Sequence, residues 1–204
     1  MRYPKLRELK EAITALIKGP VTSKYPYAPH TPPKRFRGKP QPDNKGCVAC
    51  KACAEVCPAR AIEAKDTVTK EKAVRVMLWH LDECHYCGQC EALCTTKDEA
   101  IPGVRLTNEF ELAGFHRSEL VSKTEEKELA LCEVCGGVVT AKAHLEWLAR
   151  RLGPLAFSNP TLFLSSLKDL GLAEDVERIA KDLTRSDRIK VVCAKCRRKT
   201  TLEK

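Results

Sequence analysis

Eight cysteines repeat one spacing: Cys47-x-x-Cys50-x-x-Cys53-x-x-x-Cys57 and, thirty-seven residues on, Cys84-x-x-Cys87-x-x-Cys90-x-x-x-Cys94. Four more make two further pairs, Cys132-Glu-Val-Cys135 and Cys193-Ala-Lys-Cys196, for 12 in 204 residues. Only two or three residues separate each cysteine from a neighbour, too few for the two to bridge readily, which argues against a disulfide scaffold. Thiols clustered this tightly are metal ligands in a reducing compartment. Thiolate is a soft anionic donor suited to iron–sulfur clusters, and a four-iron cube needs four of them from nearly tetrahedral directions. A C-x-x-C-x-x-C loop wraps one side of such a cube, and the fourth donor must come from elsewhere.

In runs of the form C-x-x-C-x-x-C-x-x-x-C-P the fourth cysteine ligates the other cluster. Applied here, cluster one takes Cys47, Cys50, Cys53 and Cys94, and cluster two takes Cys84, Cys87, Cys90 and Cys57. The bland alternative for the eight is a pair of zinc sites. The first run ends in Pro58, but Thr95 stands where the second would carry proline. Proline there pre-sets a helix start and is no ligand, so cluster one is expected to form, with a small change in potential. His85, between Cys84 and Cys87, reads as a surface residue or a neighbour of the ligands. Val48, Ile62, Val76, Leu93 and Ile101 are expected to make an apolar shell that keeps the potentials low.

The remaining pairs resemble zinc knuckles. Gly136 and Gly137 let backbone amides turn toward the thiolates, and Cys132, Cys135, Cys193 and Cys196 together would close a structural four-cysteine zinc site. A third iron–sulfur cluster, disulfides or free thiols are the other readings. The segment between the pairs would be a helical insertion, with helices at about 141–152, 160–170 and 173–183. Ile189–Val192 reads as a short strand, and Ser122 with Glu125 as a capping box opening a short helix. Val74–Trp79 reads as a strand between the two cysteine runs.

Ahead of the cysteines, residues 4–18 read as an amphipathic helix, with Leu6, Leu9, Ile13, Leu16 and Ile17 on one face and Gly19-Pro20 as its stop. It packs either on its own domain or on a partner or membrane surface. Residues 20–45 hold seven prolines and cannot be regular helix or inner strand. They form an extended basic arm, either a solvated linker or a strap across a partner. The expected fold class is α+β. A two-[4Fe-4S] bacterial-ferredoxin-like domain (46–121) follows the helix and arm (1–45) and precedes a zinc-ribbon-like domain, built on those last four cysteines, with a helical insertion (122–204).

Charge and composition narrow the function. The formal charge of +9 invites a nucleic-acid reading, but it counts cysteines as neutral. A cluster or zinc ion held by four thiolates carries about −2, so three sites leave roughly +3. Aromatic residues are few, so base-stacking platforms are poor. No apolar run is long enough for a signal peptide or membrane span, which predicts a soluble or peripheral cytoplasmic protein. Only five Asn and Gln residues, against abundant Lys and Glu, point weakly to a thermophilic source. Neither a phosphate-binding P-loop nor a dinucleotide fingerprint is present, and no catalytic constellation is read.

Val21-Thr-Ser-Lys-Tyr-Pro26, Pro33-Lys-Arg-Phe-Arg-Gly-Lys-Pro40 and the two cysteine runs resemble the two-cluster ferredoxin-like subunit of respiratory complex I and of membrane-bound nickel–iron hydrogenases. The cysteine-bearing tail resembles the small ferredoxin subunit of formate hydrogenlyase, also called hydrogenase-4 component H. The resemblance covers most of residues 1–135 and the final pair. It implies a non-catalytic relay on the cytoplasmic side of the membrane. Electrons would enter from ferredoxin or a dehydrogenase and leave for the proximal cluster of a small subunit beside a catalytic large subunit. It also implies that helix and arm pack on neighbouring subunits. A sulfur-reducing or complex I-type assembly, a free diffusible ferredoxin and a zinc-dependent nucleic-acid-binding protein using Arg197, Arg198 and Lys199 are the competing readings.

Overall fold

A computed structural model describes residues 5–19, 22–172 and 190–202. Contacts divide the chain into two compact units, Met1–Phe36 and Arg37–Lys204. In the first, helix α1 (Leu6–Lys18) ends where Gly19 turns to φ 73° and its N–H bonds the Ala15 carbonyl. None of the α1 residues is buried; Leu6, Leu16 and Ile17 are at least 80% exposed.

The second unit centres on a β-hairpin. Strands β2 (Ile62–Val68) and β3 (Ala73–His80) pair antiparallel from Ile62↔Trp79 to Val68↔Ala73, and the Thr69 hydroxyl and backbone tie the turn to Lys72. Side chains alternate across a strand. Arg75, Met77 and Trp79 therefore share one face of β3, and all three are buried. On its other edge β3 pairs with β5 (Val121–Lys123) and β6 (Lys127–Leu131), and β6 pairs with β7 (Val138–Ala141). One sheet thus holds strands from both sides of residue 122. A separate two-stranded sheet joins β1 (Pro40–Pro42) to β4 (Val104–Leu106).

Two four-residue helices, α2 (Ala52–Glu55) and α3 (Gln89–Ala92), occupy the same place in each cysteine run. After β7 come α4 (Lys142–Leu152), α5 (Pro160–Asp169) and, past the undescribed stretch, α6 (Ala194–Leu202). Asn159 caps α5 by accepting from the amides of Thr161 and Leu162, and Pro160 fills its first turn. Ala49, Ile62, Met77, Trp79, Leu81, Val104, Leu129 and Ala141 are buried in the main core. Leu145, Ala156 and Leu162 form a second, smaller one.

Several expectations change. Ser122 caps no helix: it is buried in β5 opposite Trp79, so tertiary pairing overrides a local capping pattern. Lys190–Val192 is irregular, although the Val191 carbonyl accepts from Glu133. Ile189 and the helix expected at 173–183 lie outside the described residues. The end of the arm is neither open linker nor free strap, because Gly38 and Lys39 donate to Thr107 and Glu109 and Pro40–Pro42 pairs with β4. Leu93 and Ile101 are about half exposed, so Met77, Trp79 and Ala49 supply the apolar wall in their place.

Candidate metal centres

The two cysteine runs fold into two cavities, each lined from both halves of the repeat. One is lined by Cys47, Cys50, Cys53 and Cys94. The other is lined by Cys84, Cys87, Cys90 and Cys57. Trp79 forms part of the wall of both.

Local backbone shape explains how three closely spaced cysteines face one point. Ala49 and Lys51 in the first loop take positive φ of 50° and 72°; Tyr86 and Gly88, their counterparts in the second, take 51° and 81°. Left-handed conformations at non-glycine residues cost about 1–3 kcal/mol each and persist where the surroundings fix them. The fixing groups are visible. Arg75 is buried and donates to the Ala49 carbonyl at 2.8 Å while gripping Asp66 through two nitrogens at 2.6 and 2.9 Å; Lys51 reaches the same carboxylate at 3.1 Å. In the second loop the Tyr86 hydroxyl donates to the Leu81 carbonyl and Arg37 to that of Cys87. Gly46 precedes the first cysteine because a side chain there would meet the Ile101 carbonyl at 2.3 Å.

The donor chemistry suits an iron–sulfur group in both cavities. Burial, followed by the neighbouring thiols, pushes the Cys53 thiol far above its ordinary range. The same causes push Cys90 up to about 11, and burial also raises Cys47 and Cys84. Four thiolates in an apolar cavity are stable only against a positively charged core. The Tyr86 amide donates to the Cys84 sulfur at 3.3 Å. The Trp79 indole N–H is buried without a hydrogen-bond partner, and a sulfur-rich group in either cavity would offer it an acceptor. His85 is exposed at the rim of the cavity lined by Cys84, Cys87, Cys90 and Cys57.

The remaining four cysteines form a different kind of site. Their sulfurs all lie within 4.8 Å of one another, and those of Cys135 and Cys193 are 3.8 Å apart. Cys132 and Cys135 sit at the tip of the β6–β7 hairpin, where the Gly136 amide bonds the Cys132 carbonyl. Cys193 and Cys196 sit at the start of α6, so the second pair opens a helix where a second knuckle is expected from sequence. Burial works against ionising Cys132, but amides of Cys193, Cys135 and Val134 aimed at its sulfur prevail and hold it at about 6. Cys196 is pushed up to about 12, chiefly by sharing a hydrogen bond with Cys135. Sequence reasoning missed Arg75 and Trp79, whose alternation on β3 marks them as inward-facing but says nothing of what they face, and Asp66, which pairs with Arg75 from β2.

Residues 46–97 match the model of a 4Fe-4S dicluster domain. The chain is 31% identical over 127 residues to NADH-quinone oxidoreductase subunit I 2 of Geobacter metallireducens, covering 59% of this chain and 93% of that protein. It is 30% identical over 129 residues to formate hydrogenlyase subunit 6 of Escherichia coli, covering 63% of this chain and 67% of that one. A chain in the structure of an archaeal membrane-bound sulfane sulfur reductase is 27% identical, with a TM-score of 0.38, covering 59% of this chain and 61% of that one. Among the described residues no helix is long and apolar enough to cross a membrane.

Proposed function

From the premise that this chain belongs to the family of 4Fe-4S dicluster subunits that includes NADH-quinone oxidoreductase subunit I, we propose that it is the electron relay of a membrane-bound respiratory complex with a nickel–iron-hydrogenase-type catalytic module. The single observation that carries the relay reading is the pair of cavities, each with four thiols, separated by the shared wall at Trp79. We assign Cys47, Cys50, Cys53 and Cys94 to one cluster and Cys84, Cys87, Cys90 and Cys57 to the other. Bound 4Fe-4S clusters supply one-electron transfer. The chain's part is to fix their separation, exclude water and set their potentials. Met77, Trp79, Ala49 and Ile62 keep the walls apolar, and Arg75 holds the first loop in its wrapped shape. No side chain here needs to move a proton.

Cys132, Cys135, Cys193 and Cys196 are assigned to a structural zinc ion in a ribbon-like C-terminal region. Tetrahedral Zn–S bonds of about 2.3 Å place sulfurs about 3.8 Å apart. The spread of these four fits that value, whereas a four-iron cube would hold them wider. Closed coordination by four thiolates leaves no open position, so the ion is scaffolding. Helix α1, with its exposed apolar face, is assigned to docking on neighbouring subunits at the cytoplasmic face of the membrane, which makes the chain peripheral.

The test is anaerobic purification with metal analysis and redox-poised electron paramagnetic resonance. About eight irons, one zinc and two magnetically interacting reduced clusters are expected. A colourless, iron-free protein would overturn the relay reading, and a third cluster in place of zinc would overturn the assignment of the last four cysteines.

A further inference from the structure

The two halves of the repeat differ at the position that follows the fourth cysteine, and in one half its side chain touches a sulfur. In the first half the residue after the fourth cysteine is Pro58, which has no hydrogen to donate. In the second it is Thr95, whose hydroxyl lies 3.0 Å from the Cys50 sulfur. Cys50 lines the cavity shared by Cys47, Cys53 and Cys94, so this contact spans from the end of one run to the middle of the other.

Donor and acceptor follow from chemistry. A cysteine that ligates iron is a thiolate and can only accept, so the hydrogen belongs to Thr95. The neighbouring Thr96 hydroxyl cannot play this part. It gives its one hydrogen to the Gly46 carbonyl at 3.0 Å and accepts from the Gly103 amide at 2.9 Å, which leaves its 3.5 Å approach to Cys94 without a proton. Thr95 is thus placed to donate a side-chain hydrogen bond to a sulfur of this cavity. Reduction adds one electron and no proton, and the charge spreads onto the sulfurs. A donor there stabilises the reduced state more than the oxidised one.

We propose that the Thr95 hydroxyl sets the potential of the cluster held by Cys47, Cys50, Cys53 and Cys94, raising it above the value the same site would have with proline at this position. Thr95 is a tuning residue: it binds no iron and takes no part in transfer itself. The proposal rests on the two-cluster reading above.

The experiment is a redox titration of the full-length, cluster-loaded protein followed by electron paramagnetic resonance, comparing wild type with Thr95→Val, Thr95→Pro and Thr95→Ser. Valine keeps the shape and removes the donor; proline restores the partner half's residue; serine keeps the hydroxyl. In Thr95→Val and Thr95→Pro, one of the two reduction waves should move to lower potential. The expected change is about tenfold in its reduced-to-oxidised ratio at fixed potential, or about 59 mV for a one-electron couple. Thr95→Ser should stay near wild type, and the other wave should not move. If valine disrupts loading, proline carries the same comparison. Iron content is measured alongside. Wild type without iron would refute the two-cluster reading, whereas loaded variants whose waves both stay put, or a serine variant that moves as far as valine, would overturn the role of Thr95 alone.

Discussion

Arg75 shows how one side chain connects a strand to a cofactor loop. It is almost fully buried, and its charge is tolerable only because Asp66 meets it through two hydrogen bonds and the Ala49 carbonyl takes a third. Breaking such a pair from one side leaves an uncompensated buried charge, at a cost of about 3–5 kcal/mol. Asp66→Asn should therefore lower chemical-denaturation stability by an amount of that order and weaken loading of the cavity lined by Cys47, measurable as lost iron. The pH sign follows from the same contact. Hydrogen bonding to Arg75 holds the Asp66 carboxyl below its ordinary range, so its contribution is present above about pH 4 and is lost as pH falls through its folded value. Denaturation midpoints should drop below pH 4 in the wild type, and the contribution of this pair to that drop should vanish in Asp66→Asn.

Among the elements, α2 and α3 are equivalent in the repeat, yet neither half closes its own cavity. Cys57→Ala should remove the cluster of the second run, about four of eight irons, while the signal of the first remains. Helix α1 makes a contrasting case. Because none of its residues is buried, Leu16→Glu with Ile17→Glu should leave iron content and melting temperature unchanged while releasing the protein from the membrane fraction. Long periodic helices such as α1, α4 and α5 were legible in the sequence, since each carries its own apolar stripe and stop signals. The cysteine positions were legible because ligand chemistry dictates both residue type and spacing. Strands β1, β4 and β5 were not. Each is three residues long, and β1 and β5 carry misleading local signals: two prolines in one, a capping pattern in the other. Their pairing is decided by distant partners, which no short window contains.

At the scale of the whole molecule, β3 joins the chemistries: its inward face walls the cavities, and one edge carries β6, which runs up to Cys132. With zinc held by the last four cysteines as proposed, chelating it from loaded protein should lower the melting temperature yet leave both cluster signals in place at low temperature. Returning zinc at neutral pH should release protons, because the Cys196 thiol, held up at about 12, must ionise to bind. Proton release is read with a pH indicator in weakly buffered solution. The crossing of cysteines between the two cavities also has a consequence for synthesis. On the ribosome, Cys47, Cys50 and Cys53 emerge first, but the wall they share waits for Cys94. Of the two cavities, the one begun earliest is therefore the last to be completed, and a nascent chain stopped anywhere before Cys94 offers the iron-delivery machinery at most three of that site's four thiols.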